Sequence, residues 1–388
     1  MDFLKDAPMQ NFEFKNPTEI LFGRGMIAKL ESRVPTGVPV LLLYGGGSIK
    51  RNGVYDQVRA ALKNRQVVEF GGIEANPLYE TCLEAVKAIR SSQVGFILAV
   101  GGGSVLDAAK FIAVAARYEG ADPWEILRTH GQVIQAALPL GAVLTLPATG
   151  SESNGNAVIS RKATTEKLAF ASILAFPVFS VLDPETTYSL PRKQVRNGIV
   201  DAFMHVMEQY MTYPSAAPLQ DRFAEAILET LIEAGPVTLA EPENYDARAA
   251  FMWSATMALN TLIGCGVPQD WSTHMVGHEL TAFYGLDHAE TLAIVLPGVW
   301  KHQFDRKKAK LEQYGQRVWK VTTAEDAMAR TEDFLHALGM PTRLGDYRID
   351  AGAAAEKVRT RFAERKTRLG EHGDIGPDAA AEILRSRA

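Results

Sequence analysis

Cysteine is scarce in this chain of 388 residues, which contains only Cys82 and Cys265. Two thiols are too few for a disulfide framework or for a zinc or iron–sulfur site built on cysteine. Histidine is also scarce, with eight residues in the whole chain. We therefore expect any metal site to use histidine, aspartate or glutamate side chains.

The chain has no excess of positive charge and no long apolar run. Its 41 Lys and Arg residues stand against 45 Asp and Glu residues, which argues against nucleic acid as a partner. The longest apolar stretch, 168–182, is interrupted and too short to span a bilayer. Residues 1–6 carry both signs of charge and no apolar segment follows them. We therefore expect no secretory signal, no membrane association and a cytoplasmic location.

The hydrophobic pattern changes near the middle of the chain and predicts two domains. Short apolar runs first alternate with helical-period segments, as a parallel α/β sheet requires. The predicted strands are 38–44, 67–70, 96–100, 143–147 and 178–183, with helices at 78–90 and 105–115 and a hairpin at 156–171. The later segments all have helical periodicity, at 194–211, 219–233, 247–263, 323–338 and 351–362. We predict a Rossmann-like α/β nucleotide-binding domain over 1–188 and an all-helical domain over 189–388.

Glycine runs follow two of the predicted strands. Strand 96–100 leads into Gly-Gly-Gly-Ser at 101–104 and then into an amphipathic helix, an arrangement that offers backbone N–H groups to a phosphate. A glycine run after one strand is equally typical of a tight turn. The dinucleotide fingerprint G-x-G-x-x-G is not matched, because Leu106 stands at its third glycine. The pattern therefore favours a nucleotide site outside the standard Rossmann type.

The second run, Gly-Gly-Gly-Ser at 45–48, bears on the choice of cofactor. Sites that prefer NAD usually have an acid after this strand, which accepts hydrogen bonds from the adenosine ribose and repels a 2′-phosphate. This chain has no acid there, and Lys50 and Arg51 are close enough in sequence to neutralise a phosphate. We therefore predict a preference for NADP(H).

Histidine and aspartate recur at helical spacing in the predicted helical domain. Asp201 and His205 are four residues apart, as are His274 and His278, and His288 follows soon after. Such spacing puts both members of a pair on one face of a helix. A single Asp and His pair at this spacing is more often a surface pair or a satisfied hydrogen bond. As a group, one carboxylate and up to four imidazoles suit Zn²⁺ or Fe²⁺ better than they suit packed core histidines. The metallopeptidase motif H-E-x-x-H is absent, which argues against a hydrolase. The remaining histidines are expected to be surface or packing residues: His130, His302, His336 and His372.

Together these motifs resemble the iron-containing (group III) alcohol dehydrogenases over nearly the whole chain. The resemblance is carried by 101–104, by Leu-Pro-Ala-Thr-Gly-Ser-Glu-Ser at 146–153, and by the two histidine segments at 201–205 and 274–288. It is greatest for the bacterial branch of NADPH-dependent aldehyde reductases and butanol dehydrogenases. It implies a homodimer whose active site lies in a cleft between the nucleotide-binding domain and a helical metal-binding domain.

The resemblance also implies roles for individual residues. The four metal ligands would be Asp201, His205, His274 and His288. His278 would lie beside the nicotinamide, and we expect it to relay a proton. The cofactor residues would be Gly45, Gly46 and Ser48 at the adenosine ribose and its 2′-phosphate, Gly102, Gly103 and Ser104 at the pyrophosphate, Thr145 and Lys167 elsewhere on the dinucleotide, and Asp107 and Asn154 near the nicotinamide. Members that prefer NAD carry Asp where this chain has Gly45. Members use iron or zinc, and the similar reductase branch favours zinc.

The implied activity is metal-dependent, NADPH-linked reduction of small to medium aliphatic aldehydes to primary alcohols. Two alternatives stay open at this point. One is a metal-dependent lyase or synthase on the related dehydroquinate synthase-like scaffold, which would need several basic residues near the histidine cluster. The sequence there offers Trp271, Phe283 and Tyr284 instead. The other alternative is a nucleotide sensor without catalytic activity.

Overall fold

The computed structural model describes residues 7–388. The expectation about a secretory signal depends on residues 1–6, which lie outside the described residues. None of the helices in the described chain has both the length and the apolar character that crossing a membrane requires.

Two compact units make up the described chain, and neither is one continuous stretch. The sheet unit comprises Lys15–Pro191 and Pro242–Asn260. The helical unit comprises the described part of Met1–Phe14, together with Arg192–Glu241 and Thr261–Ala388.

The sheet unit is built on a six-stranded parallel sheet and one separate hairpin. The strands in chain order are β1 (Glu19–Phe22), β2 (Val40–Tyr44), β3 (Val67–Phe70), β4 (Phe96–Gly102), β5 (Leu140–Leu146), β6 (Asn156–Arg161), β7 (Glu166–Ala171) and β8 (Phe179–Leu182). The sheet has the order β1-β8-β5-β4-β2-β3, and β6 pairs with β7 as the antiparallel hairpin. All the predicted strands and the hairpin are present, whereas the short edge strand β1 was not predicted.

The central strands β8, β5, β4 and β2 are buried on both faces, which explains their mainly apolar sequences. The edge strands β1 and β3 are partly exposed. Successive side chains of a strand point to opposite faces, so β2 contributes Val40 and Leu42 to one hydrophobic core and Leu41 and Leu43 to the other. β4 divides its side chains in the same way.

Fourteen α-helices are present in the described chain. In chain order they are α1 (Leu30–Arg33), α2 (Val54–Ala61), α3 (Tyr79–Ser91), α4 (Gly103–Ala115), α5 (Glu125–Arg128), α6 (Arg192–Tyr210), α7 (Pro218–Ala240), α8 (Tyr245–Ala258), α9 (Ser272–Tyr284), α10 (His288–His302), α11 (Phe304–Tyr314), α12 (Ala324–Ala337), α13 (Ala351–Arg365) and α14 (Pro377–Arg385). The first five and α8 belong to the sheet unit, and the other eight belong to the helical unit. No strand lies within 192–388, all of which the structure describes, so the predicted combination of a parallel α/β part and a helical part is confirmed.

The compact units differ from the predicted division at 188/189 in two places, the described residues before Lys15 and helix α8. Its Met252 packs in the sheet unit's core, and its Thr256 hydroxyl donates to the carboxylate of Glu152 at 2.5 Å. Residues 242–260 therefore return to the sheet unit, although the hydrophobic pattern assigns them to the helical segments.

Helix α7 continues past its predicted end at residue 233. It runs through Gly235 and Pro236 to Ala240, although proline lacks the N–H that a helix interior uses. A Cβ at Gly235 would lie 3.0 Å from the side chain of Ile199 on α6, so the two helices approach closely at this point. Tertiary packing thus extends the helix beyond the signal in its sequence.

Candidate functional site

The first pair of predicted metal ligands lies on α6. Asp201 and His205 are one helical turn apart and both are buried, with 4% relative exposure each. The Nδ1 atom of His205 is 3.8 Å from the Oδ1 atom of Asp201. The i, i+4 spacing therefore brings the two side chains together as predicted.

Helix α9 brings His274 to the same point. Ligand atoms of Asp201, His205 and His274 all lie within 4.8 Å of one another. The ring centroids of His205 and His274 are 4.8 Å apart. Three of the four predicted ligands thus form one buried cluster from two helices.

His288, the first residue of α10, lies next to this cluster. Its Nε2 atom is 3.7 Å from Asp201 Oδ1, and its ring centroid is 5.0 Å from that of His274. The connection from α9 turns at Gly285, whose φ of 70° favours glycine. The sequence prediction could not specify this return, because it depends on the turn and on the packing of α10 against α9.

His278 is buried on α9, one turn after His274. Its ring centroid is 5.3 Å from that of His288 and 6.4 Å from that of His274. The structure therefore brings all five predicted residues of the histidine cluster together. Three of the remaining histidines have partners elsewhere: His302 with Glu382, His336 with Thr342, and His372 with Tyr213.

The side chains in the cluster fit a divalent metal ion. Asp201 Oδ1 is buried and, within residues 7–388, has no hydrogen-bond partner. Leaving a carboxylate oxygen buried in this state is unfavourable unless a cation compensates it. Its separations of 3.7 and 3.8 Å from imidazole nitrogens are close to the roughly 3.4 Å between ligands of one tetrahedral ion. One carboxylate and three imidazoles can hold either Zn²⁺ or Fe²⁺.

Glu208 belongs to the surroundings of this cluster and was not predicted from the sequence. It lies on α6, three residues after His205, and its carboxylate contacts the Nδ1 atom of His274. Burial raises the pKa of Glu208 well above its ordinary value. Its spacing of i+7 from Asp201, on the same helix face, is the signal that could have identified it.

The predicted nucleotide residues all lie in the sheet unit, where the two glycine runs are neighbours. Strands β2 and β4 pair in parallel, with Tyr44 opposite Val100, and a glycine run follows or ends each of them. The chain leaves β2 for β3 on one side and leaves β4 for β5 on the other. A reversal of strand order at the carboxyl edge of a parallel sheet is the usual position of a nucleotide crevice.

The run at 101–104 owes its glycines to close packing. A Cβ at Gly102 would lie 2.9 Å from Leu146, and one at Gly103 would lie 2.5 Å from the Thr149 hydroxyl. Helix α4 begins at Gly103, so its first N–H groups point out of this turn. The Ser104 hydroxyl donates to the carbonyl of Ala75. The turn is thus compatible with phosphate binding, but its glycines are explained by packing alone.

The run at 45–48 is different, because Gly46 and Ser48 are exposed and a Cβ at Gly46 would meet nothing within 4 Å. Beside it, Lys50 lies above the ring of Tyr44 and 3.5 Å from a carboxylate oxygen of Glu69. These contacts raise the pKa of Lys50, with the Tyr44 hydroxyl as the largest cause. The predicted cation is therefore held next to the open glycine turn.

Asp107 and Asn154, predicted near the nicotinamide, are bound within the sheet unit. Asp107 accepts from the Ser151 hydroxyl at 2.7 Å and from the backbone N–H of Val158 at 2.9 Å. Burial raises the pKa of Asp107. The amide of Asn154 donates to the Leu259 carbonyl, among others, and accepts from the buried Lys110 ammonium at 2.9 Å. These two residues hold the segment that leads into β6, and their place near the nicotinamide stays a prediction.

The other two predicted cofactor residues differ in burial: Thr145 is buried, whereas Lys167 is half-buried. Thr145 is the second-to-last residue of β5, next to the glycine run that ends β4. Lys167 is half-buried on β7, where its ammonium donates to Asn76 Oδ1 at 3.2 Å.

Two protein-family models match the chain. The model for iron-containing alcohol dehydrogenase matches residues 17–184, and the model for the C-terminal domain of the Fe-containing alcohol dehydrogenase family matches residues 196–372. The two matches together cover most of the chain.

Similar proteins are known in several bacteria. The NADPH-dependent aldehyde reductase YqhD of Escherichia coli K12 is 57% identical over 382 residues, which are 97% of this chain and 99% of that protein. The crystal structure of YqhD from E. coli K-12 has a TM-score of 0.97 at 56% identity and covers 98% of this chain and 100% of that chain. The NADH-dependent butanol dehydrogenase A of Thermotoga maritima has a TM-score of 0.93 at 34% identity, again covering 98% and 100% of the two chains.

Proposed function

Because this chain belongs to the iron-containing alcohol dehydrogenase family, we propose that it is a metal-dependent, NADPH-linked aldehyde reductase. Its substrates would be small to medium aliphatic aldehydes, which it would reduce to primary alcohols. The observation that carries this proposal is the buried cluster of one carboxylate and three imidazoles, which can hold a metal ion. The relatives are named as a reductase and a dehydrogenase, so they give no support to a lyase or a nucleotide sensor.

Four residues of the helical unit would hold the metal: Asp201, His205, His274 and His288. A divalent metal bound there supplies a Lewis acid that polarises the substrate carbonyl and stabilises negative charge on its oxygen. The zinc preference expected from the sequence gains no support from the matched families, whose descriptions name iron. We therefore propose Fe²⁺ first and keep Zn²⁺ as the alternative, to be decided by metal analysis of protein purified without added metal.

The sheet unit would bind the cofactor, which supplies the hydride. The open turn at Gly46 and Ser48, with Lys50 beside it, supports a site for the 2′-phosphate of NADPH. The N-terminus of α4 supports a site for the pyrophosphate. The name of the 57% identical relative also favours NADPH, whereas the T. maritima relative is named for NADH.

His278 would deliver a proton to the reduced substrate oxygen. It is the one histidine of the cluster that we do not propose as a ligand, and an imidazole titrates near neutral pH. Its neighbours His274 and His288 would keep it next to the reacting oxygen.

The test of this function is loss of NADPH absorbance when a short aliphatic aldehyde is added to metal-loaded protein. We expect Asp201→Asn to lose both metal and activity, and His278→Ala to keep the metal while turnover falls by about 10²-fold or more. A fully active metal-free Asp201→Asn would contradict the proposed chemistry. Loss of metal from His278→Ala would mean that His278 is a ligand.

Three further expectations from the sequence are also proposals. They are functional domains at 1–188 and 189–388, a homodimer, and a cytoplasmic location. Light scattering of the purified protein tests the dimer, and cell fractionation tests the location.

A further inference from the structure

Glu208 is a buried acid that the proposed function does not use. It lies on α6 with Asp201 and His205, at positions i, i+4 and i+7, so the three side chains share one helix face. Its side chain is only 2% exposed. Burying a carboxylate is costly unless several donors surround it, so its contacts indicate what it does.

Both carboxylate oxygens of Glu208 accept from the first residues of α9. Oε1 accepts from the backbone N–H of Thr273 at 2.6 Å, and the N–H of His274 lies 3.3 Å from each oxygen. The residue before α9, Trp271, provides no side-chain cap, and the first turn of the helix has no acid. Glu208 therefore does from α6 what a capping residue normally does within its own helix.

The same carboxylate contacts the side chain of His274. Its Oε2 atom meets Nδ1 of the imidazole. A neutral imidazole has one N–H donor and one acceptor nitrogen, and an ionised carboxylate can only accept. The backbone N–H groups of Thr273 and His274 donate to the Glu208 carboxylate and so favour its ionised form. The contact therefore keeps the proton on Nδ1 and leaves Nε2 as the nitrogen with a lone pair. A histidine that binds a metal usually donates its other ring N–H to such a partner.

The buried lysine of this region, Lys307, pairs with acids other than Glu208. The Lys307 ammonium is 2.9 Å from Asp270 Oδ2 and 2.9 Å from Glu371 Oε1. Asp270 is joined to Glu208 through the backbone, because its N–H donates to the Glu208 carbonyl at 2.8 Å. The contacts described for the Glu208 carboxylate are with the N-terminus of α9 and the ring of His274.

We propose that Glu208 is a positioning residue that selects the Nδ1–H tautomer of His274 and so presents Nε2 to the metal. This inference rests on the proposed metal site. It assigns the ligating atom of His274 and links the two helices that supply the ligands, α6 and α9.

The test compares the wild type with Glu208→Gln and Glu208→Ala. The dissociation constant for Zn²⁺ is measured by chelator competition, and the tautomer of His274 is measured by long-range ¹H–¹⁵N NMR on the metal-free protein, with His274→Asn to assign the signal. We expect Zn²⁺ affinity to fall about 10- to 100-fold in both variants. We also expect His274 to be the Nδ1–H tautomer in the wild type and to lose this preference in Glu208→Gln, whose side chain has nearly the same shape.

Glu225→Gln is the matched control, because Glu225 is another buried acid of the helical unit and accepts from Tyr210 and Arg317. Its Zn²⁺ affinity should equal that of the wild type. Wild-type affinity in Glu208→Gln, or an Nε2–H tautomer of His274 in the wild type, would overturn the inference. If the wild type binds no Zn²⁺ or Fe²⁺, the proposed function fails instead, and the NMR result alone decides the role of Glu208.

Discussion

At the scale of single residues, the glycines of the two runs are there for different reasons. Gly103 cannot carry a side chain, because Thr149 occupies the space. Gly46 faces open space and does not have a positive φ, so the fold itself tolerates a side chain there. A glycine that packing does not require is the better indicator of a ligand.

Gly46→Asp should therefore fold normally and lose affinity for NADPH. A carboxylate next to the 2′-phosphate repels it, and we expect the KM for NADPH to rise at least tenfold, about 1.4 kcal/mol, with a smaller change for NADH. Gly46→Asn is the control for size without charge. Equal effects of Asp and Asn on both cofactors would contradict a phosphate site at this turn.

Lys110 is fully buried, and burial lowers its pKa from the ordinary 10.5 to about 8. Between these pH values the unfolded chain binds more protons than the folded one, so stability rises with pH; below pH 8 both states are protonated and the gain is absent. Relative to Lys110→Met, the free energy of unfolding of the wild type should rise by about 2 kcal/mol from pH 7 to pH 9.5. Urea unfolding of both proteins at the two pH values measures this difference. All other titratable groups are present in both proteins, so their contributions cancel in the comparison. A difference that does not change with pH would mean that Lys110 has an ordinary pKa.

The sequence identified candidate residues well, but it did not indicate which hydrogen bonds their polar atoms form. Asp201 and His205 could be predicted because one helix determines their spacing. The hydrogen bonds of the Asn154 side chain could not be predicted, because one partner, Leu259, is more than a hundred residues away in the sequence. The same holds for Glu208, whose donors come from another helix.

At the scale of elements, the start of α10 determines the position of a proposed metal ligand, because His288 is the first residue of this helix. The preceding Asp287 forms a capping box with Glu290. Its carboxylate also accepts from the Asn197 amide at 3.0 Å and lies 2.9 Å from the Lys193 ammonium, both on α6. One side chain therefore fixes both the start of α10 and its contact with the helix that carries Asp201.

Asp287→Ala should destabilise the protein by about 1 kcal/mol, the usual cost of losing a cap. It should also weaken Zn²⁺ binding, because His288 loses its fixed position. Asp287→Asn keeps the capping oxygen and should stay close to the wild type in both measurements, thermal unfolding and chelator competition. A normal Zn²⁺ affinity in Asp287→Ala would show that His288 is positioned without the cap.

Elements with a clear period were predictable, and those that depend on packing were not. The buried strands β2, β4, β5 and β8 were recognisable as mainly apolar runs between turns, and the partly exposed edge strand β3 was recognisable by its short run Val67–Phe70. The edge strand β1 has only four residues and a single partner, β8, so its sequence carries little signal. The extension of α7 through Pro236 depends on the close approach of α6 at Gly235.

At the scale of the whole molecule, the proposed metal ligands and cofactor residues belong to separate compact units. Removing the metal should therefore abolish aldehyde reduction while changing the dissociation constant for NADPH less than about threefold, below 0.7 kcal/mol. Calorimetric titration of chelator-treated protein with NADPH measures this. The control is the same protein reloaded with Zn²⁺ or Fe²⁺, which should recover activity. Loss of NADPH binding with the metal would contradict independent sites.

The division into a sheet part and a helical part was predictable from the change of hydrophobic period, but the membership of α8 was not. Its apolar residues have the same helical spacing as those of its neighbours α7 and α9. Its tertiary contacts identify its unit, among them the packing of Met252 and the hydrogen bond from Thr256 to Glu152.

The return of α8 to the sheet unit has a consequence for synthesis of the protein. A nascent chain that has emerged only as far as Pro191 lacks α8. This helix adds Met252 to the core of the sheet unit and donates a hydrogen bond to the Glu152 carboxylate. The ribosome must first extend through α6 and α7 to residue 260 before the earlier part can finish folding. Domains usually fold in order as they emerge. In this protein the later unit begins to appear while the earlier one is still open, so a chain cut after residue 188 would lack residues 242–260 of the sheet unit.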